Sequence, residues 1–173
     1  PTTGIRLRTI SRQNVSETDP RAIGGKLPGA LAFRLLQRDW RLVLGIEKLE
    51  PRISGNVLQE IILREGQTRS ALIANFQVQN ASIRSLRVVL PITNSDEVKT
   101  LRANGKTVSD LIRIDPDQNL WEVQFKRRIL GAVRFRVEYE RRGDRGDEGE
   151  VLRLVEFPKA GQVPFYIAVR AGG

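Results

Sequence analysis

Ala132-Val-Arg-Phe-Arg-Val-Glu-Tyr139 decides the fold class. Val133, Phe135, Val137 and Tyr139 fall on one side of an extended chain, and Arg134, Arg136 and Glu138 on the other. Only a strand, with its period of two, sorts residues this way. One apolar face and one polar face is the antiparallel pattern, whereas parallel strands are usually buried on both faces.

The same grammar extends outward in both directions. Trp121, Val123 and Phe125 alternate with Glu122, Gln124 and Lys126. Trp40, Leu42, Leu44 and Ile46 form another row, and so do Leu72, Ala74, Phe76 and Val78. Leu86, Val88 and Leu90 end at Pro91, and Val163, Phe165, Ile167 and Val169 lie near the C-terminus. Turn residues punctuate the rows: Pro51, Gly66, Pro91, Asn104-Gly105, Pro116-Asp117, Gly131, Gly143 and Pro158. The reading is all-β, an antiparallel β-sandwich of about ten strands. The strand candidates are 4–10, 30–37, 40–49, 56–64, 68–79, 83–91, 97–102, 106–113, 120–127, 131–142, 150–157 and 163–170, one or two of them irregular. Asn104-Gly105 suits a two-residue type I′ hairpin turn. Two stretches also admit helix. Residues 56–66 carry Val57, Leu58, Ile61 and Ile62 at helical spacing, while Gln59 interrupts the strand row. Residues 95–105 could cap at Ser95.

Residues 11–29 are polar and broken by Asp19-Pro20, Gly24-Gly25 and Pro28-Gly29. The expected organisation is therefore a leading strand plus linker or long loop over 1–29, then a β-sandwich domain over 30–173. No Met is present, and both ends of the sequence read as cut from a longer protein. No apolar stretch reaches the ~18 residues of a membrane span.

The 173 residues contain no His and no Cys. That removes the commonest general base, thiol nucleophiles and thiolate metal sites. No catalytic residue, cofactor or metal site is expected, and the chain reads as a non-enzyme. Glu122, Glu138 and Glu140 alternate with basic residues and read as cross-strand ion pairs on a solvated face. Asp115-Pro-Asp117 reads as a turn, and Gly24-Gly25-Lys26 lacks the Ser or Thr of a phosphate loop. The tandem Arg-Gly-Asp tripeptides at 142–144 and 145–147 read as a charged connection, and the sequons at Asn14 and Asn80 as chance matches. Trp40 and Trp121 are expected in the core rather than on a sugar platform.

Lys plus Arg number 29 against 20 Asp plus Glu, a net charge of +9, and 23 of the cations are Arg. The charge is spread along the chain rather than gathered in an arm. Arg34, Arg41, Arg84, Arg87, Arg134 and Arg136 fall on outward faces and are the candidate binding residues, if their strands share a sheet. Solvated faces and edge protection account for them more readily than a binding patch. Polyanion binding is expected to be weak and salt-sensitive, because the few aromatics are assigned to the core.

Trp40-Arg-Leu-Val-Leu44, Leu49-Glu-Pro-Arg-Ile53, Phe76-Gln-Val-Gln-Asn-Ala81, Leu86-Arg-Val-Val-Leu-Pro91 and Trp121-Glu-Val-Gln-Phe125 carry a resemblance. Over 30–142 the chain resembles β-rich interior segments of very large exported or membrane-anchored bacterial envelope proteins. The resemblance implies an extracytoplasmic module of a multidomain protein, with no catalytic residues to carry over. Its partners would be other domains of the same chain or other envelope proteins. A similar Leu-Pro strand ending occurs in the β-sandwich that precedes some aminopeptidase catalytic domains, but no zinc motif accompanies it here. Two functions follow as expectations: a structural spacer or interaction module, or a module binding an acidic polymer, glycan or nucleic acid, through Arg-rich strand faces.

Overall fold

A computed structural model describes residues 4–24, 30–92, 97–142, 152–161 and 163–172. The tripeptides that begin at Arg142 lie largely outside these residues. Among the described residues the structure is all-β, with a single short 3-10 turn at Pro20–Ile23. The chain divides between Glu50 and Pro51. The reason is a pairing that crosses the expected linker: β1 (Ile5–Gln13) forms an antiparallel ladder with β4 (Arg41–Lys48).

The first unit contains that ladder and a second one, β2 (Val15–Thr18) with β3 (Ala32–Leu35). Part of the polar stretch 11–29 is therefore strand. Asn14 makes the corner between β1 and β2 with φ 54°, a conformation Asn tolerates. Its Nδ2 donates to the Asp39 carbonyl at 3.3 Å. Among the described hydrophobic residues of this unit, only Val15 and Ala32 are buried. Trp40 is 49% exposed, which corrects the expectation of a core tryptophan. A two-stranded ladder has too little surface to cover it.

The second unit is one sheet in the order β10-β5-β6-β9-β7, with β8 also paired to β9. Its strands are β5 (Arg52–Arg64), β6 (Gln67–Val89), β7 (Glu97–Asn104), β8 (Val108–Asp115), β9 (Leu120–Arg142) and β10 (Phe165–Ala171). The helical alternatives at 56–66 and 95–105 give way to β5 and β7. Four expected strands are two: 68–79 and 83–91 join as β6, and 120–127 and 131–142 as β9. In place of two separate sheets, one open, bent sheet supplies both layers of the core.

The bend is built from paired irregularities. Between the partners Val78↔Gly131 and Ile83↔Ile129, β6 has four residues (79–82) against one on β9. Between Ile83↔Ile129 and Ser85↔Gln124, β9 has four (125–128) against one on β6. Such bulges bend a strand sharply. Asn80 (φ 66°) and Gly131 (φ 96°) supply the left-handed backbone. Phe125 and Phe135 lie ten positions apart on β9, about 33 Å along a straight strand. Their ring centroids are 6.1 Å apart, so β9 folds back over its own apolar face.

Phe76, Phe135 and Phe157 meet in tilted and edge-on pairs at 5.0–6.2 Å. Leu72, Val78, Val88, Val123 and Val137 complete the fully buried core. Trp121 is half-buried against this core, with Arg113 5.5 Å over its ring. Gln59, the polar interruption in the β5 row, points inward. Its amide donates to Ser70 Oγ and to the Arg153 carbonyl and accepts from Val155 N–H. It thus holds a segment that crosses the core.

That crossing segment corrects the expected strand 150–157, of whose described part only Glu156 makes a bridge, to Val89. It also explains why β10 departs from an all-antiparallel scheme. The chain crosses the core to the Ile53–Val57 end of β5, where Gly161 N–H donates to Ile53 and Val57 N–H to Pro164. From there β10 can only run alongside β5 in the same direction, Phe165↔Val57 to Ala171↔Leu63.

Candidate anion-binding surface

Three strands turn at one corner of the second unit. The β6 and β9 bulges form it together with the short link between β7 and β8. Asn104-Gly105 does not close a hairpin: β7 pairs with the C-terminal arm of β9 and β8 with its N-terminal arm. The turn runs instead from Gly105 to Val108, whose N–H donates to the Gly105 carbonyl at 3.1 Å, with Lys106 and Thr107 at the tip. The backbones approach closely here: a Cβ at Gly105 would stand 3.0 Å from the Arg134 carbonyl, tighter than an ordinary contact. Lys126 N–H then bonds the Thr107 carbonyl at 2.9 Å, tying the tip to the β9 bulge.

Beside this corner lies a groove of about 920 Å³. Four cations line it, Lys106, Lys126, Arg127 and Arg134, together with Asn75, Thr107 and Ala132 and with no acidic side chain. The Thr107 hydroxyl is shielded from solvent and has no partner among the described residues. Arg128 is exposed in the same bulge, and Arg84 is the one β6 residue set against its four residues 125–128.

A second groove of about 410 Å³ opens further along the sheet. Arg69, Arg136, Arg170, Glu60 and the buried Ala71 line it. Small Ala71 forms the floor, because in register it sits between Glu60 on β5 and Glu138 on β9. Arg136 stands 3.7 Å from Glu60, and its Nε stands 2.8 Å from Glu138 Oε1 as an ionic contact. Arg102 grips Glu138 Oε2 through Nε at 2.8 Å and a terminal nitrogen at 2.7 Å. Hydrogen bonding from Arg102, reinforced by the charge of Arg136, holds the Glu138 carboxyl below its ordinary range despite partial burial. Glu140 opposes Arg69 in register but bonds Gln67 instead. Arg69 and Arg170 have no ionic partner among the described residues.

The six arginines singled out from sequence do not form one patch. Arg34 on β3 and Arg41 on β4 belong to the first unit. Arg87 lies past the bend on β6, opposite Glu122 on the N-terminal arm of β9, and Arg84 at the bend itself. Arg134 and Arg136 share the outer face of β9, one in each groove. Sequence reading passed over Lys106, Lys126, Arg127, Arg69 and Arg170. The available signal was Lys126-Arg-Arg128, three cations in a row where an alternating strand should carry an apolar residue.

Among the described residues no three or more acids gather as a metal cluster, and no helix is long and apolar enough to cross a membrane. No protein-family model matches the chain, and no match is found among curated proteins.

Proposed function

We propose that the second unit is a non-catalytic module that binds an acidic polymer at the basic corner. The observation that carries this reading is the corner groove, where four cations from three chain segments converge with no acid in the lining. Arginine and lysine spread over a surface bind counterions weakly. When they converge on a concave site, their potentials add and their guanidinium forks can meet carboxylate, sulfate or phosphate together. A chain with no His and no Cys lacks the commonest groups for acid–base or nucleophilic chemistry, which supports binding over catalysis. The resemblance to envelope proteins supports placing the module outside the cytoplasm, attached to further domains.

Binding of heparin to the full chain, measured at low salt and then at rising salt, tests the proposal. Replacing Lys126, Arg127 and Arg134 with Gln should weaken binding at least about tenfold and lower the salt slope by roughly one per contact removed. The matched control replaces Arg6, Arg34 and Arg41 in the first unit, which removes the same charge. If both triple variants lose equal affinity, the effect is net charge and the corner is not a site.

A further inference from the structure

We infer that the ligand is an acidic polysaccharide, laid along the outer face of the sheet from the corner groove to the second groove. This rests on the corner being the anchoring site. Arg134 and Arg136 are two residues apart on one face of β9, so the two grooves are neighbours on a continuous surface. From the Asn75↔Arg134 row to the Arg69↔Glu140 row is six residues along β6, about 20 Å of extended strand. Cations mark both ends: Lys106, Lys126, Arg127 and Arg134 at the corner, and Arg69 and Arg170 beyond Ala71. Arg170 and Arg69 flank Ile62 in one cross-sheet row.

What lies between and beside the cations selects the chemistry. Ser54, Asn56, Asn75 and Gln77 share the outer face, with Asn75 Nδ2 donating to Asn56 Oδ1 at 3.1 Å. Glu60, 44% exposed beside Arg136, adds a carboxylate acceptor. A polyphosphate chain has no hydroxyl to give that carboxylate. A sugar acid presents both an anion for arginine and hydroxyls for amides and carboxylates. Tyr166, 59% exposed, sits in the row Tyr166–Leu58–Ile73–Arg136 at the sheet margin. One exposed ring beside a cationic track can stack a sugar face. Single-stranded nucleic acid instead calls for a series of aromatic platforms along the path.

The test uses the full chain with galacturonate oligomers of increasing length, oligothymidylate as the nucleic-acid probe and a neutral maltooligosaccharide as control. Affinity for galacturonate should rise with length until the track is spanned and then level off. Arg69→Gln with Arg170→Gln, and separately Tyr166→Ala, should each lower affinity for the longest oligomer about tenfold and leave the shortest unchanged. All three positions are exposed, and circular dichroism of the variants checks that the fold is kept. Affinity independent of length, or unmoved by these variants, overturns the track while leaving the corner intact. Tighter binding of oligothymidylate than of galacturonate, lost in the corner variant, overturns the glycan and keeps the corner. Binding of the maltooligosaccharide as tightly as galacturonate overturns the requirement for an acid. No binding of either anionic probe at low salt overturns both readings.

Discussion

The β1–β4 ladder and the β5–β6–β9 sheet are written in the same alternating pattern and end differently. In the large sheet the apolar row is closed over: Leu72, Val123, Phe135 and Val137 are essentially solvent-free. In the ladder the face carrying Leu7, Leu44 and Ile46 lies open, with Ile46 72% exposed. Alternation specifies an extended chain with two unlike faces. Whether the apolar face becomes a core depends on having a second layer, and the large sheet makes its own by bending.

Paired truncations sharpen this difference most. Phe135→Ala should cost about 3–5 kcal/mol in denaturant unfolding, because three other rings lose their common neighbour. Ile46→Ala should cost less than about 0.5 kcal/mol. Equal losses would mean that the ladder face is covered in solution and that the contrast between the units is not real.

A smaller effect is expected at Gln59. Gln59→Leu keeps the volume but leaves the buried Val155 N–H unsatisfied, at a cost of about 1–3 kcal/mol. Faster proteolysis within 152–161, ahead of the sheet, would show that the crossing segment is what loosens. An unchanged unfolding midpoint would break the claim that this amide holds the segment.

The smallest effect concerns Glu138. Its carboxyl is held below its ordinary value, so the folded state binds the proton less readily than the unfolded chain, whose glutamate titrates near 4.3. The stabilisation is therefore fully present above that value and is lost as pH falls through the lower folded value. Glu138→Gln should cost about 1 kcal/mol at neutral pH and less at pH 3, measured by urea unfolding. A cost that grows on acidification would have the wrong sign for this pairing.

Much of the large sheet was legible in the sequence, since the apolar rows at 72–78, 121–125 and 133–139 fix both strand and face. The bend was not. The breaks at 79–83 and 127–131 stand where expected, but the sequence reads them as strand ends, because a bulge and a terminus share the same loss of alternation. The strand β10 was legible at 163–170, but its parallel direction was not: that is set by the crossing segment and a buried glutamine, not by its own residues. Trp40 failed because burial belongs to the neighbours of a side chain. The proposed binding surface was legible only at Arg134 and Arg136. Arg69, Arg170 and Lys106 become its neighbours through register, which no single strand records.

The two bulges at the bend have a consequence for how the chain can tolerate change. Each adds three residues, on opposite strands, so pairing beyond the bend resumes in the phase it had before it. Three is odd, and strand faces alternate every residue. Removing one bulge alone would turn the far arm inside out, presenting Arg87 and Glu122 inward and Leu86 and Val123 to water. Removing both would leave every residue facing as it does now. Insertions and deletions here are thus tolerated only as a matched pair on strands some fifty positions apart. Dye binding to exposed apolar surface should separate the single deletions from the double one.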